Sequence, residues 1–252
     1  MGGPIGAIAG PGGVAGDLFP GRSAALIQAV VFDFDGTILD SESHVYGVAR
    51  ELFAEHGAEL PLEVWAECVG RAAGHFDPIE YLEECTGRPH DRDALNRLRR
   101  ERFHERIARE GPLPGVEEAL AAARAGGLKL GIASSGSREW VEGQLARLGL
   151  RRYFECVRTA DDVEHAKPDP ELYTSALACL GVDPARAVAI EDSPNGALAA
   201  RRAGMYCVIV PNPVTAALAF GHHHVRLESL HGVELHALLD RIVQGHHTES
   251  TE

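Results

Sequence analysis

Lysine is almost absent from this 252-residue chain: Lys129 and Lys167 are the only two, and the rest of the 24 basic residues are arginine. GC-rich coding would produce that bias, so each surviving lysine calls for a reason. Positive charge as a whole is short, because 37 acidic residues leave a formal net charge of −13. That balance argues against a nucleic-acid surface and against docking on an anionic membrane. An anionic substrate remains admissible if positive charge is concentrated at its site or supplied by a metal. No apolar run approaches the length of a membrane span. Cysteine is sparse and scattered, at 68, 85, 156, 179 and 207, without a C-x-x-C pair. That spacing offers neither a zinc site nor a disulfide framework, so the expectation is reduced, mostly buried thiols and a cytoplasmic location.

Hydrophobic residues make up 45% of the chain, enough for a globular core. Residues 1–28 are rich in Gly, Pro and Ala, contain no run long enough for a signal peptide, and read as a disordered tail. Residues 246–252, with His246-His247, read as a second polar tail.

The run Ala29 to Phe34 is apolar and β-branched and predicts a buried strand. It ends in Asp33-Phe34-Asp35-Gly36-Thr37, where Gly36 permits a sharp turn. Asp40 and Ser41 then offer a helix cap, and helical segments follow to about His56 and at about 61–69, 77–86 and 91–110. From Pro114 onward, helices and strands alternate. Strands are expected at 128–133, 156–159, 187–190, 206–210 and near 225–227, with a last helix at about 234–243. This alternation predicts a Rossmann-like, doubly wound parallel sheet with helices on both faces. Its core would span residues 29–40 and 114–245, with an all-α cap inserted at 41–113.

Two carboxylates at a strand end are chemically suggestive. A carboxylate can attack phosphorus, a second can act as general acid and then base, and both suit Mg²⁺, which prefers oxygen ligands. Alone, Asp33 and Asp35 could equally be turn formers. Three further signals fall at or after strand ends. Ser134-Ser135-Gly136-Ser137 places hydroxyls and backbone N–H groups at a helix N-terminus, suited to a phosphate or to capping. Lys167 stands in a proline-flanked turn. Glu191-Asp192 sets two adjacent acids where one would suffice as a cap. Four acids in one site are electrostatically costly without a cation, which favours a metal site.

In this order, Asp33-Phe34-Asp35-Gly36-Thr37, a post-strand serine, Lys167-Pro168 and Glu191-Asp192 resemble the haloacid-dehalogenase-like superfamily of phosphotransferases. Over residues 29–243 the closer resemblance is to the helical-cap branch that includes β-phosphoglucomutase and many small-molecule phosphatases. The resemblance implies a nucleophile and Mg²⁺ ligand at Asp33. It implies a general acid/base at Asp35, whose backbone carbonyl also meets the metal. Ser134 and Lys167 match phosphate-holding positions, and Glu191 and Asp192 match metal ligands. The implied activity is Mg²⁺-dependent hydrolysis of a small phosphorylated metabolite, such as a sugar phosphate, through an aspartyl-phosphate. A monomer is the expectation.

Within that family, the presence of Asp35 disfavours a dehalogenase, and a lysine-free cap disfavours a Schiff-base phosphonate hydrolase. A β-phosphoglucomutase-like mutase is the nearer alternative. Such mutases carry a cap histidine ten residues after the second aspartate, where this chain has Val45, with His44 one place earlier. They also carry a cap arginine three residues after a glycine; after Gly70 that position is Ala73, with Arg71 and His75 nearby. The loss of that second anion site favours a phosphatase. A non-catalytic regulatory protein keeping the fold is the alternative of another class, although all four motifs are intact. Trp65, Arg71, His75, Phe76 and Tyr81 are cap candidates for substrate contact, with packing the favoured role for the aromatic three. Arg138 and Asn195 are candidates at the core side of the entrance. His222-His223-His224 reads as a solvated loop rather than a metal site.

Overall fold

In a computed structural model that describes residues 27–66 and 77–249, strand β1 (Ala29–Phe32) lies at the centre of the sheet. All four of its residues are buried, as expected of a strand covered on both faces. β1 pairs in parallel with β2 (Lys129–Ala133) on one side and β4 (Ala187–Glu191) on the other. With β3 (Cys156–Arg158), β5 (Tyr206–Ile209) and β6 (Val225–Arg226), the order is β3-β2-β1-β4-β5-β6. The strand order reverses between β1 and β4. Ligands of open α/β sheets gather at the carboxyl ends of strands at such a switch point.

Alternation along β1 sends Val30 and Phe32 into one core layer and Ala29 and Val31 into the other. The first layer is closed by α5 (Val116–Ala125), α6 (Arg138–Arg147) and α9 (Leu235–Glu249), through residues such as Leu120, Leu145 and Leu239. The second is closed by α7 (Glu171–Leu180) and α8 (Pro194–Arg202), through Tyr173, Leu177 and Ala200.

Between β1 and α5 lie α1 (Ser41–Glu55), α2 (Leu62–Ala66), α3 (Pro78–Thr86) and α4 (Arg92–Ile107). Asp40, Asp77 and Asp91 cap α1, α3 and α4 by accepting bonds from backbone N–H groups of the first turn. These helices have their own apolar cluster, including Val48, Leu52, Phe53, Ile79 and Leu82. Val214, from the loop after β5, enters that cluster and ties the cap to the core. Trp65 stacks at 5.9 Å on Tyr46, and Tyr81 at 5.8 Å on Phe53. Both aromatics therefore pack cap helices together. The charged helix α4 buries only Leu95 and Ile107.

Two expectations change. The last helix, expected to end near Val243, runs on to Glu249, six residues beyond. Gly245 is followed by residues with ordinary helix propensity and no proline, so nothing local stops it. The cysteines are not all reduced: Cys156 and Cys179 form a disulfide with a Cα–Cα separation of 6.2 Å. They lie 23 residues apart in sequence and meet because α7 packs on β3, which cysteine spacing cannot reveal. Cys207 is buried as a free thiol, whereas Cys85 is exposed. Among the described residues no helix is long and apolar enough to cross a membrane.

Candidate active site

Each strand end at the switch point delivers an acid. Asp33 follows β1 directly, its N–H donating to the Ile190 carbonyl at 2.9 Å, so the β1–β4 ladder extends into the site. Glu191 is the last residue of β4, and Asp192 follows it. One carboxylate oxygen from each of Asp33, Glu191 and Asp192 lies within 4.8 Å of the others, and all three residues are buried. Lys167 joins them. Its Nζ donates to Asp33 Oδ1 at 2.5 Å and to Glu191 Oε1 at 2.6 Å, at 3% exposure. The second of the chain's two lysines is thus buried against two acids.

The charges do not balance. Three carboxylates share one ammonium in a site nearly closed to water. Burial, and less strongly Glu191 and Asp35, push Asp33 up to about 7 against the pull of Lys167. Burial, with Asp33 and Glu191, raises Asp192 well above the usual carboxylate range. Burial would lower Lys167, but Asp33 and Glu191 outweigh it and hold the ammonium protonated. The half-buried Glu42, in the first turn of α1, is raised to about 8 by burial and by Asp35, Asp33 and Asp40. A hard divalent cation fits this donor set: oxygen ligands only, excess negative charge, little competing water.

Glycine makes the close packing possible. Gly36 has φ +81°, and a Cβ there would lie 2.2 Å from Asp192 Oδ2. A Cβ on Gly196, in the first turn of α8, would lie 2.0 Å from both carboxylate oxygens of Glu191. The helix caps leave the acids and serines free for other work. Ser193 caps α8 by accepting the Gly196 N–H at 3.1 Å, so Asp192 is not needed there. Ser137 caps α6, accepting the Trp140 N–H at 3.3 Å. Ser134 is fully buried and accepts the Gly136 N–H at 2.9 Å. Ser135 Oγ is buried without a hydrogen-bond partner.

Asp35 lies beside this cluster, half-buried. Ser41 Oγ and Trp140 Nε1 both donate to its Oδ1, at 2.7 and 2.9 Å. Burial raises its pKa, opposed by the bonds from Ser41 and Trp140.

Arg138, the first residue of α6, is exposed and ion-paired to Asp162. Asn195 is half-buried at the second position of α8. His44 pairs with Glu110 at 2.9 Å. Arg71, His75 and Phe76 lie outside the described residues. Of the histidine triplet, His224 accepts the Cys207 N–H at 3.0 Å through Nδ1.

Sequence reasoning missed several partners. Tyr173 donates its hydroxyl to Glu191 Oε1 at 2.5 Å, and its ring lies 5.1 Å from Lys167 Nζ. Asn212 donates Nδ2–H to Asp192 Oδ2 at 2.7 Å, while its Oδ1 accepts the N–H groups of Val214 and Thr215. Asn212 follows β5 between two prolines, a strand-end position that could have flagged it. Tyr173 and Trp140 carry no such signal, being apolar-face helix residues until the fold aims their polar atoms.

A family model described as haloacid dehalogenase-like hydrolase matches residues 30–210. YhcW of Bacillus subtilis (strain 168), whose name carries a provisional phosphatase assignment and no substrate, is 54% identical over 217 residues, 86% of this chain and 98% of that protein. Hexitol phosphatase B of Escherichia coli (strain K12) is 30% identical over 188 residues, 74% of this chain and 85% of that protein. Among solved structures, CbbY from Rhodobacter sphaeroides in complex with phosphate aligns with a TM-score of 0.69 at 30% identity. That alignment covers 85% of this chain and all of that one.

Proposed function

This chain belongs to the haloacid dehalogenase-like hydrolases and is a phosphoric monoester hydrolase, and from that premise we propose that it cleaves a small phosphorylated metabolite, a sugar or polyol phosphate, through an aspartyl-phosphate on Asp33. The observation that carries this reading is the buried group of Asp33, Glu191 and Asp192 around Lys167 at the switch point of the sheet. The hexitol phosphatase likeness supports the substrate class.

Asp33, Glu191 and Asp192 would hold Mg²⁺, together with the backbone carbonyl of Asp35. When bound, Mg²⁺ supplies the charge neutralisation that allows a carboxylate and a phosphate dianion to approach. The remaining work belongs to the protein's own side chains. A carboxylate oxygen of Asp33 attacks phosphorus in line with the ester oxygen. The P–O bond to the alcohol breaks, and protonated Asp35 gives its proton to the departing oxygen. Asp35, now a carboxylate, takes a proton from water as that water attacks the phosphorus of the aspartyl-phosphate. Inorganic phosphate leaves and Asp33 is restored. Lys167 offsets phosphate charge, while Ser134, Ser135 and the N-terminus of α6 orient its oxygens. The helices of residues 41–113 act as the cap over this site. With His44 engaged by Glu110 and the half-buried Val45 packed against the cap core, hydrolysis is favoured over phosphoryl return to a sugar.

The test is a panel of sugar and polyol phosphates with an aryl phosphate, in Mg²⁺ and in EDTA. Phosphate release and sugar-phosphate isomers are measured together. Mg²⁺-dependent release should fall by more than about a thousandfold in Asp33→Asn. Isomer formation without net release would instead identify a mutase.

A further inference from the structure

Two donors from different parts of the fold share one oxygen of Asp35. Ser41, the first residue of α1, reaches Oδ1 at 2.7 Å, and Trp140, in the first turn of α6, reaches it at 2.9 Å through its indole N–H. With Oδ1 held by two donors, Oδ2, on the side of Ser134, is the oxygen placed to carry and deliver a proton. Oδ2 looks toward Gly136: a Cβ there would stand 3.1 Å from Oδ2, 3.1 Å from Trp140 Cδ1 and 3.2 Å from Ser134 Oγ. Trp140 is in turn held by the cap. The Phe103 ring of α4 lies 5.5 Å from the indole at 39°, and the His104 ring lies 6.5 Å away.

We propose that Trp140 is a positioning residue that couples the cap to proton transfer: α4 fixes the indole, and the indole fixes Asp35 with Oδ2 toward the departing oxygen. The inference rests on the reading of Asp35 as the general acid. An indole is apolar except for one N–H, so packing against Phe103 sets its plane, and the N–H must find a partner. The partner it finds gains negative charge as its proton leaves. A donor already aimed at Oδ1 therefore strengthens as the transition state forms, without reorganisation at that moment. Separating α4 from α6 would free the indole and weaken that support, so the acid is at full strength only with the cap seated.

The consequence depends on the leaving group. An alkyl alkoxide needs the proton; p-nitrophenolate does not. The value of kcat/KM covers steps only as far as departure of the alcohol, so the second, shared hydrolysis step does not enter. We compare kcat/KM for the best alkyl phosphate of the panel with that for p-nitrophenyl phosphate, in the Mg²⁺-loaded enzyme. Trp140→Phe keeps the ring and removes the N–H, and should lower the alkyl-to-aryl ratio about tenfold, one hydrogen bond to a charging group. Phe103→Ala keeps the N–H but removes the nearer of the two cap rings, and should lower the ratio about threefold. Because Phe103 has no polar group with which to bond Asp35, it carries the test alone should Trp140→Phe fail to fold. The proposal is overturned if Trp140→Phe lowers both substrates equally or neither, or if Phe103→Ala leaves the ratio unchanged. Asp35→Asn separates the two levels of inference. A ratio unmoved by Asp35→Asn removes Asp35 from the acid role. A ratio that collapses in Asp35→Asn but not in Trp140→Phe removes only Trp140.

Discussion

Replacing Gly196 by alanine sets two effects of opposite sign against each other. In an exposed helix the change stabilises by up to about 1 kcal/mol, because glycine loses more backbone entropy on folding. Gly196 lies in the first turn of α8 with no positive φ, so no backbone strain enters. The new Cβ, however, would stand 2.0 Å from both oxygens of Glu191. Glu191 cannot step aside freely, because Lys167 and Tyr173 hold its Oε1 at 2.6 and 2.5 Å. Overpacking costs about 1–3 kcal/mol, and losing one hydrogen bond to a charged group about 1.5–3 kcal/mol more. The steric side wins, for a net loss of about 3 kcal/mol, or a Tm lowered by about 6–12 °C in a chain of this size. Displacing a carboxylate of the proposed metal site should also cost about a hundredfold in kcat/KM and raise the Mg²⁺ requirement. Thermal unfolding and Mg²⁺ titration of phosphate release measure both. An unchanged or raised Tm with wild-type Mg²⁺ dependence would show that Glu191 is not confined as described, and the site model would fail.

Lys167→Met leaves Asp33 and Glu191 buried without their cation and should destabilise the metal-free protein by about 3–5 kcal/mol, read by denaturant unfolding, with Mg²⁺ restoring part of it. Tyr173→Phe removes only a hydroxyl, so a loss of about 1.5–3 kcal/mol is expected by the same measurement, with kcat reduced far less than in Asp33→Asn. Asp33 binds its proton more tightly folded than unfolded, with a folded value of about 7, raised mainly by burial. Its contribution to the metal-free fold is therefore full below about pH 4 and fades as pH climbs through 7. Mg²⁺ must displace that proton, so the Tm difference between Mg²⁺ and EDTA should widen from pH 5.5 to 8; a constant difference would contradict the shift. Asn212→Ala removes the donor to Asp192 and should weaken apparent Mg²⁺ affinity by about tenfold, in the range expected for partners that orient metal ligands.

Much of the molecule was readable along the chain because the determinants are local. Strand β1 announced itself by an apolar run, the first cap helix by the cap at Asp40, and the core after Pro114 by the alternation of helices and strands. Asp33, Ser134, Glu191 and Asp192 each end or follow a parallel strand, and parallel strands place those ends on one edge. Lys167 was conspicuous because only one other lysine exists. What tertiary structure alone decided has no local signature. Cys156 and Cys179 meet because α7 lies on β3. Nothing local marks Tyr173 or Trp140, and helix packing turns one polar atom of each onto Glu191 and Asp35. Arg138 pairs with Asp162, 24 residues on, because an exposed guanidinium takes whatever carboxylate the fold brings near. Sequence patterning records which residues face inward along one element; which partner they meet depends on contacts between elements distant in the chain, and only packing sets those.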